Sequence, residues 1–154
     1  MELELNYIDE NSLLKKLNRE RGRAKKSIES NSLEDLADSF YNFSVTAYHI
    51  TDWVKASSVK DRGDVNLFVK ENAEISACRD IANTTKHFKI TRYEPRDVSV
   101  VSTIESISEA RYSSSGMIDI YGSISWQVVL DDKESYGILE FMDKVIETWK
   151  SYLA

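Results

Sequence analysis

The clearest pattern in the chain lies in residues 33–56. There Leu33, Leu36, Phe40, Phe43, Ala47, Ile50 and Val54 recur at alternating steps of three and four. That spacing lines one face of an α-helix. The other side carries Tyr41, Val45, Tyr48 and His49, and no charged residue occurs from Ser39 through Thr51. A helix apolar around most of its circumference is predicted to be central, packed on two sides. Upstream, residues 9–29 show a weaker stripe of Leu13, Leu17, Ala24 and Ile28, which predicts a peripheral helix. Gly22 sits in its middle, where glycine costs about 1 kcal/mol relative to alanine. Asn31 and Ser32 offer a cap between the two helices, with Glu34 and Asp35 well placed in the next first turn.

Residues 61–64 read as a loop, and a third helix is predicted over 65–86, burying Ala77, Cys78 and Ile81. In residues 87–93, Phe88, Ile90 and Arg92 alternate with Lys89, Thr91 and Tyr93, the period of a strand, which Pro95 ends. Residues 97–108 are rich in β-branched side chains, and Ser-Ser-Ser-Gly at 113–116 is turn chemistry. In 117–130, Ile118, Ile120, Ile124, Trp126, Val128 and Leu130 fall on one face. Asp119, Tyr121, Ser123, Ser125 and Gln127 fall on the other. Gly122 lies on the apolar side and suits a bulge or a close approach. Asp131 or Asp132 then caps a last helix whose face is Ile138, Met142, Val145, Trp149 and Tyr152.

Strands grouped between helices predict an α+β fold rather than a parallel α/β sheet. The expected order is three N-terminal helices, a three-stranded antiparallel β-meander and a C-terminal helix, in one domain over residues 1–154. Trp126 and Ile124 should face helices, and Trp149 should cover the same core.

Composition narrows the class. The chain has 154 residues, 42% of them hydrophobic and 16 aromatic, enough for one domain with a real core. One cysteine, Cys78, allows no internal disulfide and fits a reducing cytoplasm. The opening MELELNYIDE is acidic where a secretory signal would be basic and then apolar. No run approaches the length of a membrane span. The expected setting is therefore cytoplasmic and away from membranes.

Net charge is −6, yet residues 15–26 hold seven of the twenty basic residues and only one acid, Glu20. A basic block on an acidic body is either a footprint for phosphate or a solvated face whose cations pair with nearby acids. Within the block, Lys15, Lys16, Arg19 and Arg23 are the candidate contacts.

A second cluster closes the third helix. At about 100° per residue, Arg79, Asn83, Lys86 and His87 lie within roughly 100° of one another, and Asn72 and Ser76 extend the face. Arginine, asparagine, lysine and histidine together suit a small anion or a phosphate. The same strip also suits the polar side of a half-buried helix with cations at its C-terminus. His49 has Asp52 three residues on, near enough to orient its ring, and a satisfied core histidine is the plainer reading. Two histidines and one cysteine alone are too few for a zinc site, which would have to draw on aspartate or glutamate ligands as well. No glycine-rich phosphate loop or nucleophile elbow occurs, and no cofactor is implied.

The helical first half, with Arg79–Asp80 followed by His87, resembles the HEPN class (higher eukaryotes and prokaryotes nucleotide-binding). Its motif is an arginine, a polar residue and a histidine after four to six positions; here seven residues intervene. The resemblance covers residues 9–87. It implies a metal-independent ribonuclease of a toxin–antitoxin or antiphage system acting as a homodimer, with His87 as acid or base and Arg79 stabilising the phosphorane. The residues themselves point first to a non-enzymatic binding or interaction protein. The combination of Asp-Trp-Val at 52–54, Ala-Asn-Thr-Thr-Lys-His-Phe at 82–88, a strand pair and a closing helix resembles small bacterial and phage proteins, which implies such an origin. The protein would use the polar strip and the basic helix toward an unidentified protein or RNA partner.

Overall fold

Asp9 starts the first helix. Its carboxylate accepts from the Ser12 amide at 2.8 Å and the Ser12 hydroxyl at 2.7 Å, satisfying a first-turn donor that the helix itself leaves unpaired. The computed structural model describes residues 7–57, 59–86, 96, 98–112, 118–131 and 133–154, without the side chains of 85, 86 and 102–124. In it α1 (Glu10–Glu29) runs unbroken through Gly22. The helix ends at Asn31, whose φ of 55° is left-handed. The Ser32 amide donates to Ser27 O at 2.9 Å and the Asn31 amide to Ile28 O at 3.1 Å. This is the paired closure that a left-handed residue permits at a helix C-terminus.

The second helix, α2 (Leu33–Ser57), follows at once, so α1 and α2 form a helical hairpin. Leu36, Phe40, Phe43, Ala47, Ile50 and Val54 are buried as the periodicity predicts, while Leu33 is exposed at the helix start. Several polar residues are buried with them. The hydroxyls of Ser44, Thr46 and Thr51 donate back to the carbonyls of Phe40, Asn42 and Tyr48. Local back-bonding lets small polar side chains enter an apolar helix without orphaned groups. His49, by contrast, is exposed and is not a core histidine.

Four helices, not three, precede the strands. The segment read as a loop and one helix is α3 (Arg62–Glu71) and α4 (Ala73–Lys86). Asp61 caps α3 by accepting from the Gly63 amide at 3.0 Å. Asn72 makes the break: its backbone is extended, at φ −108° and ψ 105°. Its side-chain amide donates to Phe68 O at 2.8 Å. Its own carbonyl accepts from the amides of Ile75 and Ser76, opening α4. Asparagine competes with the helical ladder in this way, and the Ser76 hydroxyl satisfies the Val69 carbonyl left over at the end of α3.

The chain divides into two compact units, one of residues 1–96 with 139–154 and the other of residues 97–138. The helical unit is completed by α5 (Ile138–Leu153), where Phe141, Met142, Val145, Ile146 and Trp149 are buried. It meets all four earlier helices. Phe141 packs on Phe40 of α2, with ring centroids 5.9 Å apart, and Trp149 and Tyr152 pack on Phe68 of α3 at 4.9 and 3.9 Å. The Thr148 hydroxyl donates to buried Glu74 of α4 at 2.7 Å. Arg21 of α1 forms a two-pronged pair with Asp143.

The other unit is an antiparallel sheet in the order β1 (Val98–Tyr112), β2 (Ile118–Leu130), β3 (Glu134–Gly137). Its register slips between Ile104 and Ser106 and between Ile107 and Glu109, on either side of the Ile107–Gly122 pair. The strand predicted over 87–93 lies outside the described residues. The third strand of the observed sheet is instead β3, a stretch that the sequence, with a cap at Asp131 or Asp132, assigns to the first turn of the last helix. Asp131 does not cap that helix. It takes a left-handed φ of 51° in a hairpin turn where the Lys133 amide donates to Leu130 O at 3.0 Å. Ser135 and Tyr136 then stand opposite Val129 and Val128. Val128 and Leu130 are buried and Trp126 is half-buried; the side chain of Ile124 lies outside the described residues.

Two stability changes follow from this packing. A Cβ built on Gly22 meets nothing within 4 Å, so Gly22→Ala should stabilise the protein by about 0.5–1 kcal/mol, read as a higher thermal midpoint. Trp149→Ala should destabilise it by about 3–5 kcal/mol in denaturant titration.

Candidate functional site

The basic block folds into α1 with its charges sorted by face. Taking about 100° per residue, Lys15, Arg19, Arg23 and Lys26 fall within an arc of about 80° and span about 16 Å along the axis. All four are exposed. The buried side of the helix, formed by Leu13, Leu17, Glu20, Ala24 and Ser27, lies on average well over 90° away on the same wheel. Arg19 and Lys26 make no ion pair with any described residue.

The other basic residues of the block are occupied. Arg21 holds Asp143, and Lys25 lies 3.9 Å from Glu29. Lys16, a predicted contact, is turned toward α2: its ammonium donates to Thr46 Oγ1 at 2.6 Å and lies 3.5 Å from Glu20 Oε1. It belongs to the α1–α2 seam more than to the open face.

Sequence reasoning passed over Glu20, which is only 3% exposed. Its Oε1 accepts from Arg23 Nη1 as well as facing Lys16. Its Oε2 is buried and meets no donor among the described residues. Arg23 is 59% exposed, so its guanidinium joins a buried acid to the surface. The signal was available, since Glu20 falls at the position where the stripe of Leu13, Leu17 and Ala24 skips a turn. Beside this pair, α1 and α2 bound an open groove of about 340 Å³, with Arg23 and Lys26 on one bank and Asp35 and Asp38 on the other.

The strip on α4 is built differently. Asn72 and Ser76 are tied to the end of α3, and Ser76 is buried. Asp80 is 2% exposed; it accepts from Arg79 Nε at 2.7 Å and from the Arg96 backbone amide at 2.8 Å. Arg79 is 22% exposed and Asn83 is half-buried. Lys86 closes the helix, and His87 lies outside the described residues. The structure therefore places Arg79 beside a buried acid that anchors the chain where it leaves the helical unit. No group of three or more histidine, cysteine, aspartate or glutamate side chains able to hold a metal ion occurs among the described residues. Among those residues, too, no helix is long and apolar enough to cross a membrane.

Cys78 lies on the inner side of the same helix, wholly buried and hydrogen-bonded to Ser44 of α2. Burial pushes its thiol up to about 12, with the charges of Glu74 and Asp80 adding to the effect and Ser44 opposing it. The thiolate is the reactive form, so a disulfide reagent should leave native Cys78 untouched at neutral pH and modify it once denaturant is added. The unfolded chain loses this proton near 9.0 and the folded one near 12. Stability should therefore fall as pH rises through that window, seen as a declining denaturant midpoint. Compared with protein-family models, curated proteins and solved structures, the chain shows no significant match to any.

Proposed function

We propose that the protein is a non-enzymatic binding protein and that the exposed basic face of α1 is its contact surface for a polyanion, RNA above all. The observation that carries this reading is the sorting of charge on α1. Lys15, Arg19, Arg23 and Lys26 form one exposed stripe, while the remaining cations of the block pair inward or with neighbours. A merely solvated helix gains little from keeping two cations out of ion pairs with the described residues on a chain of net charge −6, whereas phosphate contacts need such cations. The polar strip on α4 supports the reading less, because Asn72, Ser76, Arg79 and Asp80 are engaged within the fold.

Titration of a labelled oligo(U) tests it. Binding through four phosphate contacts should weaken with salt at a logarithmic slope of about −3. Lys15→Glu with Arg19→Glu should weaken binding by at least tenfold, while Asn83→Ala leaves it nearly unchanged. Absence of oligo(U) binding even at low salt would overturn the polyanion reading and point to a protein partner instead. Cleavage of RNA in EDTA by the wild type, abolished in His87→Ala, would replace this reading with the ribonuclease one.

A further inference from the structure

A buried carboxylate in the middle of a basic helix asks for an explanation. Glu20 is 3% exposed, one of its oxygens has no donor among the described residues, and it sits where the apolar stripe of α1 would take a leucine. Taking a charge out of water is expensive, and a buried ion pair is often no more stabilising than apolar side chains of the same volume. Here the arrangement is not even fully matched, because Oε2 meets no donor among the described residues. Stability alone gives the position no reason to be acidic.

What Glu20 does hold is Arg23. Its Oε1 takes one guanidinium nitrogen, and Arg23 leaves more than half of its side chain in solvent. A guanidinium is a planar fork with donors on several edges. With one edge fixed on a buried acid, the others are presented outward in one orientation, so less rotamer freedom is lost when a phosphate arrives. Lys16 backs the acid from the α2 side, between Thr46 and Glu20. Asp35 and Asp38 on the far bank of the groove repel phosphate and leave the α1 bank, Arg23 and Lys26, as the approach.

We infer that Glu20 is a positioning residue that pre-orients Arg23 as the phosphate anchor of the basic stripe, the ligand being the phosphodiester backbone of a single-stranded nucleic acid. This rests on the proposed polyanion reading. It has an outcome opposite to simple electrostatics, since removing an acid from a polyanion-binding face ordinarily tightens binding.

The test uses the full chain and labelled oligo(U). Glu20→Met should fold with a denaturant midpoint equal to or above that of the wild type, yet bind roughly tenfold more weakly. The magnitude of its salt slope should fall by about 0.7, the share of one phosphate contact. In an Arg23→Gln background, Glu20→Met should have no further effect on affinity; a merely structural role would add to the loss. If Glu20→Met fails to fold by circular dichroism, Glu20→Gln carries the same comparison at nearly the same shape. Unchanged or tighter binding by the acid-free variant, with wild-type binding intact, overturns this inference and leaves the basic face standing. Absence of wild-type binding overturns both.

Discussion

Phe141, Met142, Val145 and Trp149 of α5 lie wholly buried, and this apolar face closes the core of the helical unit. It has side-chain contacts to α1, α2, α3 and α4. The long central helix α2 supplies a continuous apolar face from Leu36 to Val54, on which α1 and α4 pack and to which α5 adds Phe141. The aromatic contacts of Phe40 with Phe141 and of Phe68 with Trp149 and Tyr152 join the hairpin, the short α3 and the last helix into one core. Aromatic groups of this size dominate such burial. The polar ties, Glu74 to Thr148 and Arg21 to Asp143, fix the placement of α5 along that surface.

Polar residues in this unit divide into those that serve the fold and those left for solvent. On α2 the buried hydroxyls bond to the backbone of their own helix. On α4 the arginine and aspartate that suggested chemistry are joined to each other and to the chain at Arg96. A buried aspartate accepting a charged donor and a backbone amide is structural in effect, whatever the guanidinium beside it also does. Among the described residues, α1 keeps a coherent row of basic side chains turned outward, whereas the exposed charges of α5 are of mixed sign and those opening α2 are acidic; the functional reading therefore rests on α1.

Much of the helical half was legible in the sequence. The spacing from Leu36 to Val54 gave α2 its buried face, and Ile138, Met142, Val145 and Trp149 gave α5 its own. The break at Asn72 was not legible, because no glycine or proline marks it. One asparagine side chain and the hydroxyl of Ser76 do that work through hydrogen bonds the pattern does not encode. The strand β3 was missed for a similar reason: its turn depends on a left-handed aspartate rather than a glycine, and four residues are too few to show alternation. At the candidate site, the basic block was plain, but its sorting into exposed and engaged cations needed the helix to be placed against α2. Glu20 was legible only as the gap in the stripe of Leu13, Leu17 and Ala24; apart from that gap, an acid within a run of lysines and arginines reads as one more surface charge.

The helical unit is interrupted in sequence by the whole sheet, residues 97–138. During synthesis, α1 to α4 therefore leave the ribosome without the helix that covers Phe40 and Phe68, and must wait for the sheet residues to be added before α5 arrives. Core closure joins residues far apart in the chain, which makes it a late, non-local event. Through that interval the incomplete core exposes an aromatic surface shaped for an amphipathic helix, so the nascent chain is at its most adhesive before its own last helix competes for the site.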